Sequence, residues 1–362
     1  MYVESLELKD FRNYEELNIT FGPHINILFG DNAQGKTNIL EALYLSVTTK
    51  SHRGSKDKDM IRFEKTDAHI KTYLNKDDVT HKVDMHLHKK GGKGAAIDGL
   101  TVRRSSELFG LCNMIFFSPE DLSMIKNGPS ERRRFLDTSI CQLDKVYLTY
   151  LAKYNKVLYQ RNQLLKQIYY DKNKLDMLSV WDEQLMTYGS YIIKRRASFL
   201  EELNEIIVKK HNQMTGGKEV LHVEYEPNTG IDLFRKNLEE KRDIDLKNCN
   251  TCVGPHRDDI KFLSNDIDIR LFGSQGQQRT TALSLKLSEI EMVKNNRKDS
   301  PILLLDDVLS ELDMNRQNYL LKSLSDVQVI ITCTGLNEFV NNRLKMDVIY
   351  EVTNGTVSKK ER

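Results

Sequence analysis

The chain has 362 residues, of which 29% are charged, and its net charge at pH 7 is only +2. This length accommodates either one large core with an insertion or two domains. Because the net charge is near zero, the electrostatic field of the whole protein does not drive it onto nucleic acid, so any basic surface must be local. The longest apolar runs, such as 301–305 and 327–331, are too short to cross a bilayer, and the first residues lack a signal-peptide pattern, so a cytoplasmic location without membrane association is expected.

The first fifty residues follow a strand-strand-strand-loop-helix pattern. Strands are predicted over 2–8, 17–21 and 25–29, and apolar residues at helical spacing follow from Ile39 to Val47. The loop between them is a complete G-x-x-x-x-G-K-T phosphate loop: Gly30, Asp31, Asn32, Ala33, Gln34, Gly35, Lys36 and Thr37. We expect its backbone N–H groups to bind ATP phosphates, Lys36 to reach the β and γ oxygens, and the Thr37 hydroxyl to ligate Mg²⁺.

Residues 60–118 have the pattern of a β-rich lobe. Segments 68–74 and 79–87 predict a hairpin, in which Val83, Met85 and Leu87 occupy the buried face. His86 and His88 then share the opposite face, and we interpret them as solvated residues rather than metal ligands. This region also carries a basic cluster: Lys89, Lys90, Lys93, Arg103 and Arg104.

The pattern becomes helical from about residue 119. Apolar stripes over 143–168 and 178–207, with a polar turn at 170–174, predict an antiparallel helical hairpin too short for a long coiled coil. Residues 131–170 hold eight Lys/Arg against three Asp/Glu, beginning with Arg132, Arg133 and Arg134. Such a run is usually a solvated helix face. If this basic run contacts DNA together with Arg103 and Arg104, we expect these residues to bind the phosphate backbone without recognising the base sequence, because no recognition motif is visible.

The cysteines predict reduced thiols. There are five at irregular spacing, which does not suit a disulfide framework. Cys249 and Cys252 form one C-x-x-C pair, but no second pair or nearby histidine pair completes a zinc site. The only metal predicted is Mg²⁺.

The pattern returns to alternating strands and helices after Gly217, and a second nucleotide-handling segment follows. Ser274-Gln275-Gly276-Gln277-Gln278 resembles an ABC-type signature, opens a helix, and begins 237 positions after Thr37. One chain cannot easily present this segment to its own phosphate loop. We therefore predict that Ser274, Gly276 and Gln277 bind the γ-phosphate held by a second copy, in a head-to-tail dimer that encloses two ATP molecules. The alternative is a polar loop with an N-capping serine.

A third segment supplies two acidic residues. The apolar residues 302–305 predict a buried parallel strand that ends in Asp306 and Asp307. Asp306 would bind Mg²⁺ opposite Thr37, and Asp307 would orient or deprotonate the attacking water. The alternative is two aspartates that cap a strand end. Ser310-Glu311-Leu312-Asp313 and a last apolar strand over 327–331 follow.

The order of these segments predicts an α/β fold of the ABC-ATPase head type, with mixed sheets around a phosphate-loop core. The helical arm is inserted between the phosphate loop and the signature. The corresponding division is an ATPase lobe with a β-rich sub-lobe over 1–118, a helical arm over 119–215, and the completion of the ATPase core over 216–362.

Nearly the whole chain resembles the RecF family, bacterial recombination-mediator ATPases related to the SMC proteins. The resemblance is carried by the ATPase segments and by four stretches: 11–14 (FRNY), 119–137 with PEDL and GPSERRRFLD, 254–259 (GPHRDD) and 305–313 (LDDVLSELD). It implies ATP-dependent dimerisation on single-stranded, gapped or double-stranded DNA, weak DNA-dependent ATP hydrolysis, and work with RecO and RecR to load recombinase at gaps. DNA repair, replication and the SOS response are the implied processes.

The resemblance also bears on individual residues. The family has Asp at the second acidic position, which Asp307 matches, and it places Arg12 and Asn13 beside the nucleotide. Two departures from the general ABC pattern remain: Thr332 and Thr334 stand near the position of the switch histidine, and Ser118 and Glu120 stand near that of the Q-loop glutamine. Two rival functions stay open. One is a DNA-binding scaffold that hardly cleaves ATP, and the other is an importer ATPase, which the 237-position gap disfavours.

Overall fold

The strands lie where apolar residues alternate or run together, in a computed structural model that describes residues 1–109, 111–297, 300–324, 326–336 and 346–360. They follow one another as β1 (Tyr2–Phe11), β2 (Tyr14–Thr20), β3 (Ile25–Phe29), β4 (Asp67–Lys76), β5 (Val79–His88), β6 (Gly94–Ile97), β7 (Leu100–Thr101), β8 (Met114–Phe117), β9 (Leu221–Glu226), β10 (Asp259–Ser264), β11 (Ile267–Asp268), β12 (Ile302–Asp306), β13 (Val329–Cys333), β14 (Met346–Thr353) and β15 (Thr356–Lys359). The predicted strands at 2–8, 17–21 and 25–29 and the hairpin at 68–87 are thus confirmed, with bounds shifted by a few residues.

The helices include the two predicted arms. They are α1 (Lys36–Thr48), α2 (Ser105–Leu108), α3 (Pro119–Ser123), α4 (Pro129–Leu143), α5 (Lys145–Tyr170), α6 (Leu178–Thr215), α7 (Phe234–Glu240), α8 (Arg242–Asn248), α9 (Ile269–Phe272), α10 (Gln275–Arg297) and α11 (Met314–Lys322). Short 3-10 turns cover Asp57–Met60, Lys172–Met177, Pro255–Arg257 and Leu309–Glu311. None of the helices in the described part of the chain combines the length and apolarity needed to span a membrane.

Three sheets organise these strands. The first is antiparallel, in the order β2-β1-β4-β5-β6-β7. The second has the order β15-β14-β3-β13-β12-β8 and is parallel except for β15. The third is the small antiparallel sheet β11-β10-β9. In the second sheet β13 separates β3 from β12, and this order positions the site described below.

The chain divides into two compact units. The first comprises Met1–Asp121 and Glu289–Arg362 and contains the two larger sheets, whereas the second comprises Leu122–Ser288. Residues 216–288 therefore lie with the helical arm, which differs from the predicted division at residue 215. The physical reason is local packing: the Asn204 amide of α6 bonds both the N–H and the carbonyl of Val223 in β9, each at 2.8 Å.

Three buried arginines hold the second unit together. Arg161 donates to Asp182 and Asp245 at 2.7 and 2.6 Å, and Arg196 donates to Asp137, Asp258 and the Tyr147 hydroxyl at 2.8–3.0 Å. The third, Arg132, pairs with Asp259. Each of these guanidinium groups is at most 2% exposed, so each charge depends on its partner carboxylates.

Candidate nucleotide-binding site

The phosphate loop connects β3 to α1 in the first unit, and both of its glycines are sterically required. Gly30 has φ of 152°, and a Cβ there would lie 2.3 Å from the Val352 carbonyl oxygen. Gly35 has φ of 114°, and a Cβ there would lie 2.5 Å from the Asn13 amide. Both values fall in the region that favours glycine, so these positions allow the loop to fold closely against its neighbours.

The loop presents positive charge and backbone donors at one place. The N-terminus of α1 has no side-chain cap and no acidic residue in its first turn, so its first N–H groups remain available to an anion. Lys36 is 4% exposed, and its ammonium lies 2.6 Å from the Gly30 carbonyl oxygen and 3.0 Å from that of Asp31. This cradle suits the phosphates of a nucleotide.

Hydrogen bonds from the β1–β2 turn and the first residue of β2 hold the phosphate loop in place. Asn13 donates from its side-chain amide to the Gln34 carbonyl at 3.0 Å and accepts from the Asn38 amide at 2.8 Å. The Tyr14 hydroxyl donates to the Gly35 carbonyl at 3.1 Å. Asn13 therefore lies against the phosphate loop, and its place beside a bound nucleotide stays a prediction.

Arg12, in the same turn, is fixed by a carboxylate that the sequence did not single out. Its guanidinium donates to both oxygens of Glu41 at 2.8 and 2.9 Å and to the Asp59 carbonyl at 2.8 Å. Burial alone would raise the pKa of Glu41, but hydrogen bonds from Arg12 and Ser51 hold that pKa below its ordinary range. Glu41 is the one acidic residue of α1 and is fully buried. A lone acid within the apolar run of this helix is the signal that would have found it.

The hydroxyl of Thr37 meets the first acidic residue. Thr37 Oγ1 donates to Asp306 Oδ1 at 2.7 Å, and Thr332 Oγ1 donates to the same oxygen at 2.8 Å. Asp306 is only 6% exposed. Burial raises the pKa of its carboxyl, and the two hydroxyl hydrogen bonds offset that rise in part. Two hard oxygen ligands therefore stand together beside the phosphate loop, which suits Mg²⁺.

Thr332 also positions the second acidic residue. Its hydroxyl accepts the Asp307 N–H at 2.9 Å while it donates to Asp306. Asp307 has φ of 51°, a left-handed conformation that costs a non-glycine residue free energy and persists only where neighbours impose it. Thr332 belongs to β13, the strand between β3 and β12, and is paired with Asp306 in the parallel register. Thr334, the other residue near the expected switch position, is exposed.

The raised pKa of Asp306 gives a testable dependence of stability on pH. An ionised carboxylate that is penalised by burial destabilises the folded state, so Asp306→Asn should be more stable than wild type. This advantage should be absent below the ordinary pKa of an aspartate, should grow as the pH rises through the raised pKa, and should then level off. Calorimetric unfolding from about pH 3 to about pH 8 measures it.

Asp78→Asn is the matched control, since Asp78 lies exposed in the β4–β5 turn of the same unit and its φ of 61° suits asparagine. This control should show no comparable advantage at any pH. A stability difference for Asp306→Asn that stays constant over the whole range would contradict a raised pKa.

The signature segment begins α10 in the second unit. The Gln277 N–H donates to Ser274 Oγ at 3.2 Å, and the Ser274 N–H donates to the Gln277 side chain at 2.9 Å, so the two residues form a reciprocal capping box. Ser274 is exposed and Gly276 is half-exposed. The N-capping role that was open from the sequence is therefore present, and the same geometry leaves Ser274 accessible at a helix N-terminus.

The arginines proposed as DNA contacts occupy different environments. Arg132 is 1% exposed and donates to both oxygens of Asp259 at 2.6 and 2.9 Å, which corrects its prediction as a DNA contact because no surface remains for a phosphate. Arg133 is half-buried and donates to the Asp258 carbonyl at 2.7 Å. Arg134, Arg103 and Arg104 are exposed.

The remaining predicted positions have local structural roles. Ser118 donates from its N–H to Asp121 at 2.8 Å at the start of α3, and Asp313 caps α11 by accepting the Asn315 N–H at 3.1 Å. His86 and His88 are exposed, opposite the buried Val83, Met85 and Leu87, as predicted. Cys249 and Cys252 are free thiols.

Comparisons with known proteins agree over the full length. The family described as the RecF/RecN/SMC N-terminal domain matches residues 2–358. The chain is 59% identical over 357 residues to the DNA replication and repair protein RecF of Agathobacter rectalis, covering 99% of each sequence. It is also 59% identical over 361 residues to the protein of that name from Lachnoclostridium phytofermentans, covering 99% of this chain and 100% of the relative.

Solved structures show the same relationship. The ATP-bound recombination mediator protein RecF of the RecFOR pathway superposes with a TM-score of 0.93 at 36% identity, covering 99% of this chain and 98% of that one. The Smc head domain of Pyrococcus furiosus bound to part of ScpA superposes with a TM-score of 0.57 at 17% identity, covering 99% and 96%, which shows the fold alone. These similarities confirm the predicted α/β ATPase-head fold.

Proposed function

Because the chain belongs to the RecF family of DNA replication and repair proteins, we propose that it is an ATP-gated clamp on DNA. ATP binding joins two copies head to tail on single-stranded, gapped or double-stranded DNA, and slow hydrolysis releases them. The clamp acts in the cytoplasm with RecO and RecR to load recombinase at gaps. The observation that carries this proposal is the convergence of Lys36, Thr37, Asp306 and Thr332 at one end of the parallel sheet.

The residues present fit Mg²⁺ and ATP. Lys36 and the uncapped start of α1 would hold the phosphates, and the oxygens of Thr37 and Asp306 would hold the metal. When bound, Mg²⁺ neutralises part of the phosphate charge. The 36%-identical relative was solved with ATP, which supports the same ligand here.

The chain's own residues account for slow hydrolysis. Asp307 follows the buried Asp306 and is only half-exposed, so its carboxylate is the candidate that orients the attacking water. Its backbone is held by Thr332 and by Ser310, whose hydroxyl donates to the Asp307 carbonyl at 2.8 Å. An aspartate holds water less closely than the longer glutamate of transport ATPases, which suits a switch better than a fast pump.

Dimerisation follows from the signature segment. Ser274 is exposed at the N-terminus of the 23-residue helix α10, where backbone N–H groups and the helix dipole attract an anion. In the proposed dimer, Ser274, Gly276 and Gln277 of one copy contact the γ-phosphate held by Lys36 of the other. Nucleotide occupancy then determines whether the two copies associate.

Ser274→Arg is expected to weaken ATP-driven dimerisation by at least about tenfold, which corresponds to about 1.4 kcal/mol, and to leave ATP binding unchanged. The arginine side chain fills the space that the second copy's phosphate needs, while Lys36 and Thr37 are untouched. Sedimentation with and without ATP measures dimerisation, and binding of a fluorescent ATP analogue measures occupancy.

Two further variants are the controls for this result. Ser179→Arg places the same side chain at an exposed serine elsewhere in the second unit and should dimerise like wild type. Lys36→Met should lose both nucleotide binding and dimerisation. If Ser274→Arg dimerises normally with ATP, the head-to-tail sandwich is wrong.

A further inference from the structure

Helix α5 differs from the rest of the chain in its charge. Its 26 residues, Lys145–Tyr170, include five Lys/Arg and six Tyr but no Asp or Glu, whereas the whole chain has almost as many acidic as basic residues. Nothing in the nucleotide site or in the proposed dimer contact requires such a composition. The proposed function therefore leaves this feature of the helix unexplained.

Two groups of basic residues can be distinguished in the arm by their burial. Arg161 lies on the buried side of α5, where its partners Asp182 and Asp245 neutralise it, and Arg132 and Arg196 are buried and paired in the same way. The α5 lysines at positions 145, 156 and 166 are instead exposed, and in the described part of the chain no ion pair involves any of them. The arginines are structural, and the lysines provide uncompensated positive charge.

These lysines share one side of α5 with two tyrosines, and we call the five residues Lys145, Lys156, Tyr159, Lys166 and Tyr170 the lysine–tyrosine face. At 100° per residue they fall within about 80° of the helix circumference, or about a fifth of it. Tyr159 is 61% exposed and Tyr170 is 88% exposed, so both rings are largely in water. The intervening positions on this side, Thr149, Ala152 and Gln163, carry no charge.

The spacing suits an extended polyanion with accessible rings. A rise of 1.5 Å per residue separates successive lysines of the face by about 15–17 Å along the helix and places each tyrosine within about 6 Å of a lysine along that axis. Duplex DNA would offer phosphates to the lysines, but its stacked bases would leave the tyrosine rings unused. Single-stranded DNA offers phosphates and unstacked bases together, and base–aromatic stacking does not depend on sequence.

We propose that the lysine–tyrosine face binds single-stranded DNA, with the lysines contacting phosphates and Tyr159 and Tyr170 stacking on bases. This inference rests on the proposed function, because it assigns residues to the DNA contact of that clamp. It moves the expected contact from the arginine triplet at the start of α4, where Arg132 is buried, to the exposed side of α5.

The role of the tyrosines is tested by fluorescence anisotropy, which measures binding of the full chain with ATP to a labelled oligothymidine and to a labelled duplex. Tyr159→Ala and Tyr170→Ala should each weaken binding of the single strand by about fivefold or more and leave the duplex unchanged. Tyr159→Phe should bind like wild type, because the ring alone stacks. Val180→Ala, an exposed apolar residue of the same arm, should have no effect.

The role of the lysines is tested by the salt dependence of single-stranded DNA binding. The double variant Lys156→Gln/Lys166→Gln should reduce the slope of log affinity against log salt by about 1.4, or about 0.7 for each lost phosphate contact. The alanine variants of the tyrosines should keep the wild-type slope. Lys218→Gln, an exposed lysine beyond the far end of α6, should keep both affinity and slope.

Four outcomes would overturn the inference. Wild-type single-strand binding by both tyrosine variants would do so, as would an equal loss on single-strand and duplex DNA, because neither is compatible with base stacking. Loss of binding to a partner protein without loss of DNA would identify the face as a protein contact instead. Wild-type protein that dimerises with ATP but binds no DNA would overturn the proposed clamp as well, so the two failures are distinguishable.

Discussion

Asp307→Asn is expected to lower the single-turnover rate of ATP hydrolysis by about 10²–10⁴-fold, because a positioned general base contributes about that much to a rate. An asparagine keeps the size of the side chain and tolerates the φ of 51° at this position, so the fold and the bond to Thr332 should persist. ATP-driven dimers should still form and should last longer than those of wild type. Quenched-flow measurement of ADP, together with sedimentation of the same sample, provides both readouts.

Asp313→Asn is the control for this change. Asp313 lies six positions along the same segment and caps α11, and asparagine caps a helix as well as aspartate does. This variant should hydrolyse ATP like wild type. If Asp307→Asn hydrolyses ATP normally, Asp307 has no part in the reaction. If it loses hydrolysis but still releases DNA normally, the rival function of a DNA-binding scaffold that hardly cleaves ATP becomes the better description.

Arg196→Met should destabilise the second unit by about 3–5 kcal/mol, the usual cost of leaving buried carboxylates without their cation. Arg196 is 2% exposed and donates to Asp137, Asp258 and the Tyr147 hydroxyl, so its loss removes the cation that compensates two carboxylates, of which Asp258 is fully buried. The chain has a single tryptophan, Trp181, which lies on α6 of this unit. Its fluorescence during urea unfolding therefore follows the unit that the mutation affects.

Arg235→Met removes an arginine from an exposed pair in the same unit. Arg235 and Glu183 are 59% and 56% exposed, and such pairs contribute about 0–1 kcal/mol. The stability loss should thus be several times smaller than for Arg196→Met. Equal losses for the two variants would show that burial of the Arg196 network is not what stabilises this unit.

Local pattern was sufficient for the strands and helices around the nucleotide-handling segments and for the two long helices of the arm. The alternation of β4 and β5, the helical spacing of α5 and α6, and the apolar run of β12 each depend on residues close together in the chain. Boundaries were less accurate: β1 continues to Phe11, three residues beyond the predicted end. Bonds from the Arg12 and Arg62 N–H groups to Met60 and Asp10 secure this extension, and no pattern within β1 reports them.

Contacts between distant segments required the structure. Glu41 and Thr332 complete the site. Glu41 is marked in the sequence only as a lone acid in an apolar helix, and Thr332 only as a residue near the position of the switch histidine, 295 positions after Thr37. The strand order β3-β13-β12 brings Thr332 between the phosphate loop and Asp306. Sheet order depends on how the whole chain packs, so the local sequence around Thr332 does not predict the position of its strand in the sheet.

The sequence by itself determined which residues are chemically suited to bind phosphate and metal, their order, and the helical arm between them. These follow from short motifs and periodicity, which are properties of neighbouring residues. Tertiary structure alone decided which charges are available, since Arg132 and Arg161 are buried with carboxylates while Lys156 and Lys166 remain in water. Burial depends on what packs against a side chain, and for these residues the partners come from remote parts of the chain.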